Sequence, residues 1–489
     1  MPNRLIDLSS SNDQTIQDAI TVCRLLDLRF LWVDALCVIQ DDVDQVDWCL
    51  ESAMICDIYS NAHFVIAAQE SPSCDSGFLH QLSSPGWRIF PIMFDSQEFP
   101  LLIHMTKVDF AYQERRVLDP DVIVKSALSQ RAWTFQETTL PYRILHFTKT
   151  EMIWECNTLV TSEWHCSGYT TPNMLANLFV APHVKDALPS TTGADGEDDC
   201  EYVSTHISDL FVGTSPAAVC WAWQRRVEQY SRRQLTRHQD MLTTMSELAQ
   251  LVLEMNGVHH TDDFAGLWRG QLVKDLLWHV SGPWEPRRFA DYVAPSWSWA
   301  SVSAGVKYFT EQYQFNFLEM VVILEAKSSF SPLDPTGSVT PGHIVAAGSL
   351  WLVTLVETPS CSSMYTGHNG HAGRLLNGIA YYIRRTERPS RKYEVLLDER
   401  LQSQTSSDDY YCLVIGANVE KKGPRVREWF LILRETGSHG GSYRTFERVG
   451  IGYHHYEIGR LSRSMKDNNR KKKRNEGRGA REWVQRNGE

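Results

Sequence analysis

The stretch QRAWTFQETT, residues 130–139, contains a carboxylate that could take part in chemistry. If this stretch is helical, Trp133 and Glu137 lie one turn apart on a face that points toward protein. A carboxylate on such a face is either paired or takes part in a reaction. Two interpretations stay open: Glu137 forms a partly buried ion pair with Arg131 or Arg143, or it stabilises positive charge on a substrate.

A second acid ends an apolar run. Residues 30–33 (FLWV) are typical of a strand buried on both faces, and the run stops at Asp34, with Gln40 and Asp41 shortly after. In open α/β sheets, ligands bind beyond the carboxyl ends of the strands, so we expect Asp34 and Glu137 to face one cleft. The alternative is that Asp34 caps the next turn and that its neighbours make surface hydrogen bonds.

The elements that must position these acids alternate between helices and buried strands. The pattern predicts helices over residues 14–26 and 44–59, and a second buried strand over 63–68 (HFVIAA). Such alternation predicts an α/β domain with a mostly parallel sheet that contains residues 30–33. The following loop, with Gly77, predicts a turn or lid. Further strands are predicted at residues 91–94, 100–105, 144–147 and 152–154.

Composition narrows the class of protein. The chain has 489 residues, of which 43% are hydrophobic, enough for two or three domains with sizeable cores. A net charge of −11 argues against nucleic-acid binding by the whole protein, and the eleven cysteines form neither a CxxC pair nor a Cys/His cluster. We therefore expect reduced thiols, no metal site and a cytoplasmic location. The sequence predicts neither secretion nor a membrane span, and no P-loop, GxGxxG, GxSxG or HExxH pattern indicates another enzyme class.

Five separate blocks of this sequence resemble one known family in their order and spacing. They are FLWVDALCVIQ from Phe30, ICDIYSNAHFVIAA from Ile55, SQRAWTFQETTLPYRILHF from Ser129, WEC from Trp154 and APSWSWASV from Ala294. In order and spacing, these blocks resemble the fungal heterokaryon incompatibility (HET) domain family. The resemblance covers about residues 1–160, and residues 221–302, including WQRRVEQYSRRQLT, resemble the region that commonly follows that domain.

The resemblance implies a function and a fold. The HET family triggers programmed cell death when genetically different hyphae fuse, and its domain is similar to TIR domains, which have a flavodoxin-like fold and in many lineages cleave NAD. There, a tryptophan followed one helical turn later by a glutamate carries the active site, and Trp133 and Glu137 are similar in type and spacing. The resemblance thus implies an NAD glycohydrolase, with NAD as substrate and no cofactor. Glu137 would be catalytic, and the substrate would be bound by Trp133, Asp34, Gln40, Asp41, Arg131 and Gln136.

Two non-enzymatic alternatives remain. The family usually opens with a strand and a Trp-Gly turn in the manner of ALSYxWG, whereas this chain begins near the first predicted helix, so we expect the first strand to be missing. An open sheet without that strand would leave backbone groups of its neighbour unpaired. This favours a non-catalytic domain that signals by self-association or through a partner protein, or an inactive remnant.

The remaining sequence divides by composition. Residues 184–201 are acidic and turn-rich and predict a linker or loop, and residues 202–305 predict a helical region, with helices over 217–255, that ends in a PSWSWAS strand. We expect this strand to pack in a core, and the alternative is that it forms a platform for a ligand. Residues 306–460 predict a mainly β domain.

The tail, residues 461–489, has ten Lys or Arg against four Asp or Glu and contains RKKKR. Its composition predicts a disordered tail, with nuclear import or binding to an anionic surface as the alternative.

Overall fold

A computed structural model describes the chain in segments. The described residues are 13–39, 47, 51, 54–79, 87–94, 97–104, 126–148, 152–156, 159–162, 216–255, 263–281, 287–309, 316–328, 330–331, 334–359, 379–385, 388–399, 409–419, 425–437 and 444–457. The chain forms two compact units, residues 1–261 with 330–338 and residues 262–329 with 339–489. The predictions for the acidic linker, the basic tail and half of the 44–59 helix fall outside the described residues.

The first unit contains a mixed four-stranded sheet. Its strands are β1 (Val65–Ala68), β4 (Arg143–Phe147), β5 (Met152–Cys156) and β6 (Leu159–Ser162), in that order. Strand β1 runs parallel to β4, but β4–β5 and β5–β6 are antiparallel. The expected mostly parallel sheet is therefore wrong for the described strands. The connections after β4 and β5 are too short for the crossover that a parallel pair needs, so the chain must turn back on itself. Strands β2 (Trp87–Phe94) and β3 (Gln97–His104) form a separate antiparallel pair.

Residues 30–33 do not form the predicted buried strand. They are neither helix nor strand, and the Phe30 side chain is 83% exposed. Only Leu31 packs against the core formed by Ala19, Val22 and their neighbours. An apolar run is buried on both faces only when strands flank it on both sides. No described strand pairs with this run, so the prediction is wrong.

The first helix, Gln14–Leu25, is confirmed and holds the loop that follows β1. The carboxylate of Asp18, which is buried, accepts the backbone N–H groups of Phe78 and Leu79 at 2.6 and 2.9 Å. Gly77 has a φ of +66°, and a Cβ there would lie 2.7 Å from the Asp18 carboxylate. The loop is thus a turn bound closely to the helix, at a position that requires glycine.

Four further helices of the first unit matter for the site. They are the Tyr59 helix (Ile55–Ser60), the Glu137 helix (Thr134–Thr139), the Tyr230 helix (Pro216–Tyr230) and a helix at Thr243–Met255. The last two confirm the predicted helical stretch. No helix among the described residues has the length and apolar character that crossing a membrane requires.

The second unit is mainly β, as expected. The strands of its largest sheet are β11 (Asn316–Glu319), β16 (Leu350–Pro359), β17 (Ile379–Arg385), β18 (Arg388–Leu397), β19 (Tyr410–Val419), β20 (Arg425–Gly437) and β21 (Thr445–Glu457). This sheet is antiparallel, in the order β11-β19-β16-β17-β18-β21-β20, and it closes on itself because β20 pairs back with β19. Side chains such as Val353, Tyr393 and Phe430 form the core.

The shorter strands of this unit are β7 (Asp263–Phe264), β8 (Leu267–Trp268), β9 (Trp278–Val280), β10 (Val306–Tyr308), β12 (Val322–Lys327) and β15 (His343–Ala347). Strands β13 (Phe330–Ser331) and β14 (Asp334–Val339) form a separate pair.

The PSWSWAS stretch packs but is not a strand. It forms a turn followed by a 3-10 helix at Trp299–Ser301. The Ser298 hydroxyl donates to the Ala265 carbonyl at 2.7 Å and accepts the backbone N–H of Ala300, which caps this short helix. The predicted strand is wrong because the serine hydroxyl bonds locally to the backbone instead of leaving it to a sheet ladder.

Candidate active site around Glu137

The Glu137 helix is short and is anchored on its buried side. Phe135 is only 2% exposed, whereas the Glu137 side chain is partly exposed. At the first turn, the Thr134 hydroxyl is 2.7 Å from the carbonyl of Leu128 and 2.8 Å from that of Arg131. These contacts fix the direction in which the helix presents Glu137.

Among the described residues, Glu137 lies near one hydrogen-bond donor and three charged groups. Partial burial, which disfavours the ionised form, is the main reason why the pKa of Glu137 is raised to about 7, and the Asp34 carboxylate acts in the same direction. The Arg131 guanidinium, a hydrogen bond from Tyr59 and the Arg233 guanidinium act in the opposite direction. Glu137 therefore changes its protonation state near neutral pH.

Tyr59 is held by an aromatic neighbour. Its ring meets that of Trp32 edge to face, with centroids 5.6 Å apart. Burial raises the pKa of the Tyr59 phenol, and the carboxylates of Glu137 and Asp34 raise it further. The phenol thus keeps its proton at neutral pH and donates it in the hydrogen bond to Glu137.

Asp34 begins the short helix Asp34–Cys37 and is exposed. One of its carboxylate oxygens accepts the backbone N–H of Ala35 at 2.8 Å. Asp34 therefore combines a local bond to the backbone with a charge that acts on Glu137.

Arg233 reaches the site from the segment after the Tyr230 helix. Its guanidinium lies 4.9 Å from the centre of the Phe135 ring and donates to the Thr134 hydroxyl at 2.9 Å. Burial lowers the pKa of Arg233 to about 10, and the Glu137 carboxylate opposes this effect. Arg233 therefore keeps its charge at neutral pH.

The structure brings together some of the predicted site residues. Asp34 and Arg131 lie near enough to Glu137 for their charges to change its pKa, and Trp133, partly exposed, directly precedes the helix. Gln136 is only 1% exposed, and its amide nitrogen has no hydrogen-bond partner among the described residues. Gln40 and Asp41 lie outside the described residues. The roles of all seven residues in catalysis and binding stay predictions.

Two neighbours of Glu137 were not predicted as site residues. Tyr59 lies in the ICDIYSNAHFVIAA block, where it was expected only to face inward, and Arg233 lies in WQRRVEQYSRRQLT. Both blocks belong to the HET resemblance, which was the available signal. No sequence spacing indicates that residues 59 and 233 meet residue 137, because that contact depends on tertiary structure.

A separate buried cluster centres on His146. One ring nitrogen is 2.8 Å from the Gln69 amide nitrogen, and the other is 2.9 Å from the Glu155 carboxylate. The Ser126 hydroxyl donates to the Gln69 amide oxygen, and the charge of Glu155 acts on buried Arg226. Because Gln69 separates the serine from the histidine, this is not a nucleophile–base pair. The cluster instead satisfies polar groups between β1, β4 and β5.

The described residues contain no group of three or more His, Cys, Asp or Glu side chains arranged to hold a metal ion.

Comparison with known protein families matches part of the chain. Residues 3–137 match the family model described as heterokaryon incompatibility protein (HET). No curated protein and no solved structure matches the chain. The match ends at Glu137, so it includes Asp34, Tyr59 and Arg131 but not Arg233. Residues 3–137 are therefore identified as a HET domain, the family that the five sequence blocks resemble.

Proposed function

We propose that this protein is an effector of non-self recognition in a fungus, and that it causes cell death by hydrolysing NAD at Glu137. One observation carries the enzymatic part of the proposal. A partly exposed glutamate receives a hydrogen bond from Tyr59 and is faced by Asp34, Arg131 and Arg233. Titratable groups with perturbed pKa values and specific charged partners are typical of functional sites.

The reaction needs one carboxylate. Hydrolysis breaks the bond between the nicotinamide nitrogen and C1′ of the ribose, and the bonding electron pair leaves with nicotinamide. Because the pyridinium nitrogen gains that pair, nicotinamide departs neutral and needs no acid to protonate it. The ribose develops oxocarbenium character, which the Glu137 carboxylate would stabilise. Water then adds to C1′, and its proton passes to Glu137.

The neighbouring residues have proposed binding roles. The exposed Arg131 guanidinium would contact the diphosphate, and Trp133 would form a wall of the pocket. Asp34 would hydrogen-bond to ribose hydroxyl groups. Gln40, Asp41 and Gln136 are proposed to complete the contacts to the nucleotide.

The test compares NAD consumption by the full chain and by E137Q, which removes the charge but keeps the volume of the side chain. We expect a loss of about 100-fold or more, of the size seen when one group that stabilises a transition state is removed. Since only the carboxylate is active, turnover by the unsubstituted protein should also fall as pH decreases through about 7.

The matched control is E70Q, because Glu70 is an exposed glutamate in the same unit. It should consume NAD as the unsubstituted protein does. The proposal fails if the unsubstituted protein does not consume NAD, or if E137Q retains turnover.

A further inference from the structure

Arg233 contacts the Glu137 helix from outside the HET match. The match ends at residue 137, but Arg233 lies after the Tyr230 helix in the same compact unit. Its guanidinium donates to the Arg131 carbonyl at 3.2 Å and to the Thr134 hydroxyl at 2.9 Å. It also covers the Phe135 ring. The side chain therefore bonds to Thr134, the first residue of the Glu137 helix, and to Arg131, three residues before it.

The backbone beside Arg233 is fixed to the same turn. The Gln234 N–H donates to the Gln130 carbonyl at 2.6 Å, and the Gln234 carbonyl accepts the Ala132 N–H at 2.9 Å. These two bonds form a parallel bridge between Gln234 and Arg131. Two backbone bonds and a planar stacked side chain leave Arg233 little freedom to move away.

The helix before Arg233 is also anchored beside the site. The Tyr230 ring lies 5.7 Å from the Phe135 ring, and its hydroxyl donates to the Met241 carbonyl at 2.9 Å. Tyr230 is only 1% exposed. The segment therefore approaches the Glu137 helix through buried contacts, not as a surface arm.

Among the described residues, four groups act on the charge of Glu137: the Asp34 carboxylate, the Arg131 guanidinium, the Tyr59 phenol and the Arg233 guanidinium. Arg131 is exposed, so water and salt screen its charge. Arg233 is less exposed and is held by two hydrogen bonds. Although the Arg131 guanidinium has the larger effect on the pKa of Glu137, Arg233 is the cation that hydrogen bonds hold against the Glu137 helix.

We propose that Arg233 is a positioning residue of the Glu137 site, which holds the first turn of the Glu137 helix and supplies a fixed positive charge that favours the carboxylate form of Glu137. It follows that a functional site requires residues up to at least 234, beyond the HET match. The catalytic meaning of this inference rests on the proposed function, but the effect on the ionisation of Glu137 does not.

The experiment titrates Glu137 directly in the full chain, through the carboxyl NMR signals of a ¹³C-glutamate-labelled protein, with E137Q to assign the signal. In R233Q we expect the titration midpoint of Glu137 to rise by about one pH unit. R233K retains the charge but loses the planar group, and should raise the midpoint by about half as much. The matched control R232Q removes a neighbouring exposed arginine and should leave the midpoint unchanged.

The outcomes separate this inference from the proposed function. An unchanged midpoint in folded R233Q overturns the inference, with folding checked by circular dichroism. If R233Q does not fold, an unchanged midpoint in folded R233M, which also lacks the positive charge, overturns it. If the unsubstituted protein does not consume NAD, the proposed function fails, yet the titration still decides the role of Arg233. If it does consume NAD, the pH at which turnover falls on the acidic side should move with the Glu137 midpoint in R233Q. In R232Q this pH should not change.

Discussion

At the scale of single residues, the charge of Glu137 depends on which of two effects is larger. Burial and the Asp34 carboxylate favour the protonated form, while Arg131, Arg233 and the Tyr59 hydroxyl favour the carboxylate. Burial and Asp34 together have the larger effect, since the net result is a rise of the pKa of Glu137 from 4.5 to about 7. A glutamate whose main role was an ion pair would show the opposite shift.

The raised pKa predicts how E137Q changes stability with pH. The folded protein binds the Glu137 proton more tightly than the unfolded chain does, because the pKa is about 7 in the fold and 4.5 in the free group. The contribution of this proton to stability is therefore complete at a pH below 4.5 and is lost as pH rises through about 7. Glutamine is always neutral. We therefore expect E137Q to raise the free energy of unfolding by about 1–3 kcal/mol near pH 8, with the gain vanishing toward about pH 4.

Urea unfolding at several pH values measures this difference, and E70Q should show no comparable dependence on pH. A lower stability of E137Q near pH 8 would contradict the prediction. In that case an ion pair would be the main role of Glu137, since removing its charge would leave the partly buried Arg233 without its partner.

At the scale of elements, apolar patterns predicted which segments are strands better than how the strands pair. Residues 144–147 and 152–154 are strands as expected, but they run antiparallel because the connection between β4 and β5 is short. The run at 30–33 has the residue types of a buried strand, yet burial depends on neighbours that a local pattern does not contain. The same limit applies to the site, where Trp133 and Glu137 share a local pattern but Arg233 arrives through tertiary packing.

The turn bound to the first helix allows a test at this scale. Asp18→Ala would leave the backbone N–H groups of Phe78 and Leu79 without their acceptor, and should lower the free energy of unfolding by about 1–3 kcal/mol. Limited proteolysis should then cut the loop at residues 71–79 faster. Arg24→Ala, an exposed change in the same helix, is the control. Equal unfolding and cleavage in the two variants would show that Asp18 does not hold the loop.

At the scale of the whole molecule, the chain has two units, and the candidate site lies entirely in the first. The HET match covers only part of that unit, because the unit continues through the Tyr230 helix to residue 261. The second unit has its own core and its own buried charges. Its integrity can therefore be tested by a change that is remote in sequence from Glu137.

Arg448 is the group on which such a test depends. It is 2% exposed and stacks on the Trp278 ring at 3.5 Å. Its guanidinium donates to both oxygens of Asp398, at 2.8 and 3.2 Å, and to the carbonyls of Leu276 and Trp278, at 2.7 and 2.6 Å. One side chain thus joins β18 and β21 to the segment that leads into β9.

Arg448→Met should destabilise the second unit strongly. Asp398 is fully buried. Arg288 lies 3.6 Å from one Asp398 oxygen, so it would not replace the hydrogen bonds that Arg448 donates to both oxygens. Removing one partner of a buried pair costs about 3–5 kcal/mol, because the other charge stays buried. Hydrogen exchange followed by mass spectrometry should therefore be faster in β18 and β21 but unchanged in β4 and β5.

The matched control is Arg444→Met, which breaks an ion pair with Glu435 at the surface, where such pairs contribute about 0–1 kcal/mol. Similar exchange in the two variants would mean that Arg448 is no more important than a surface arginine.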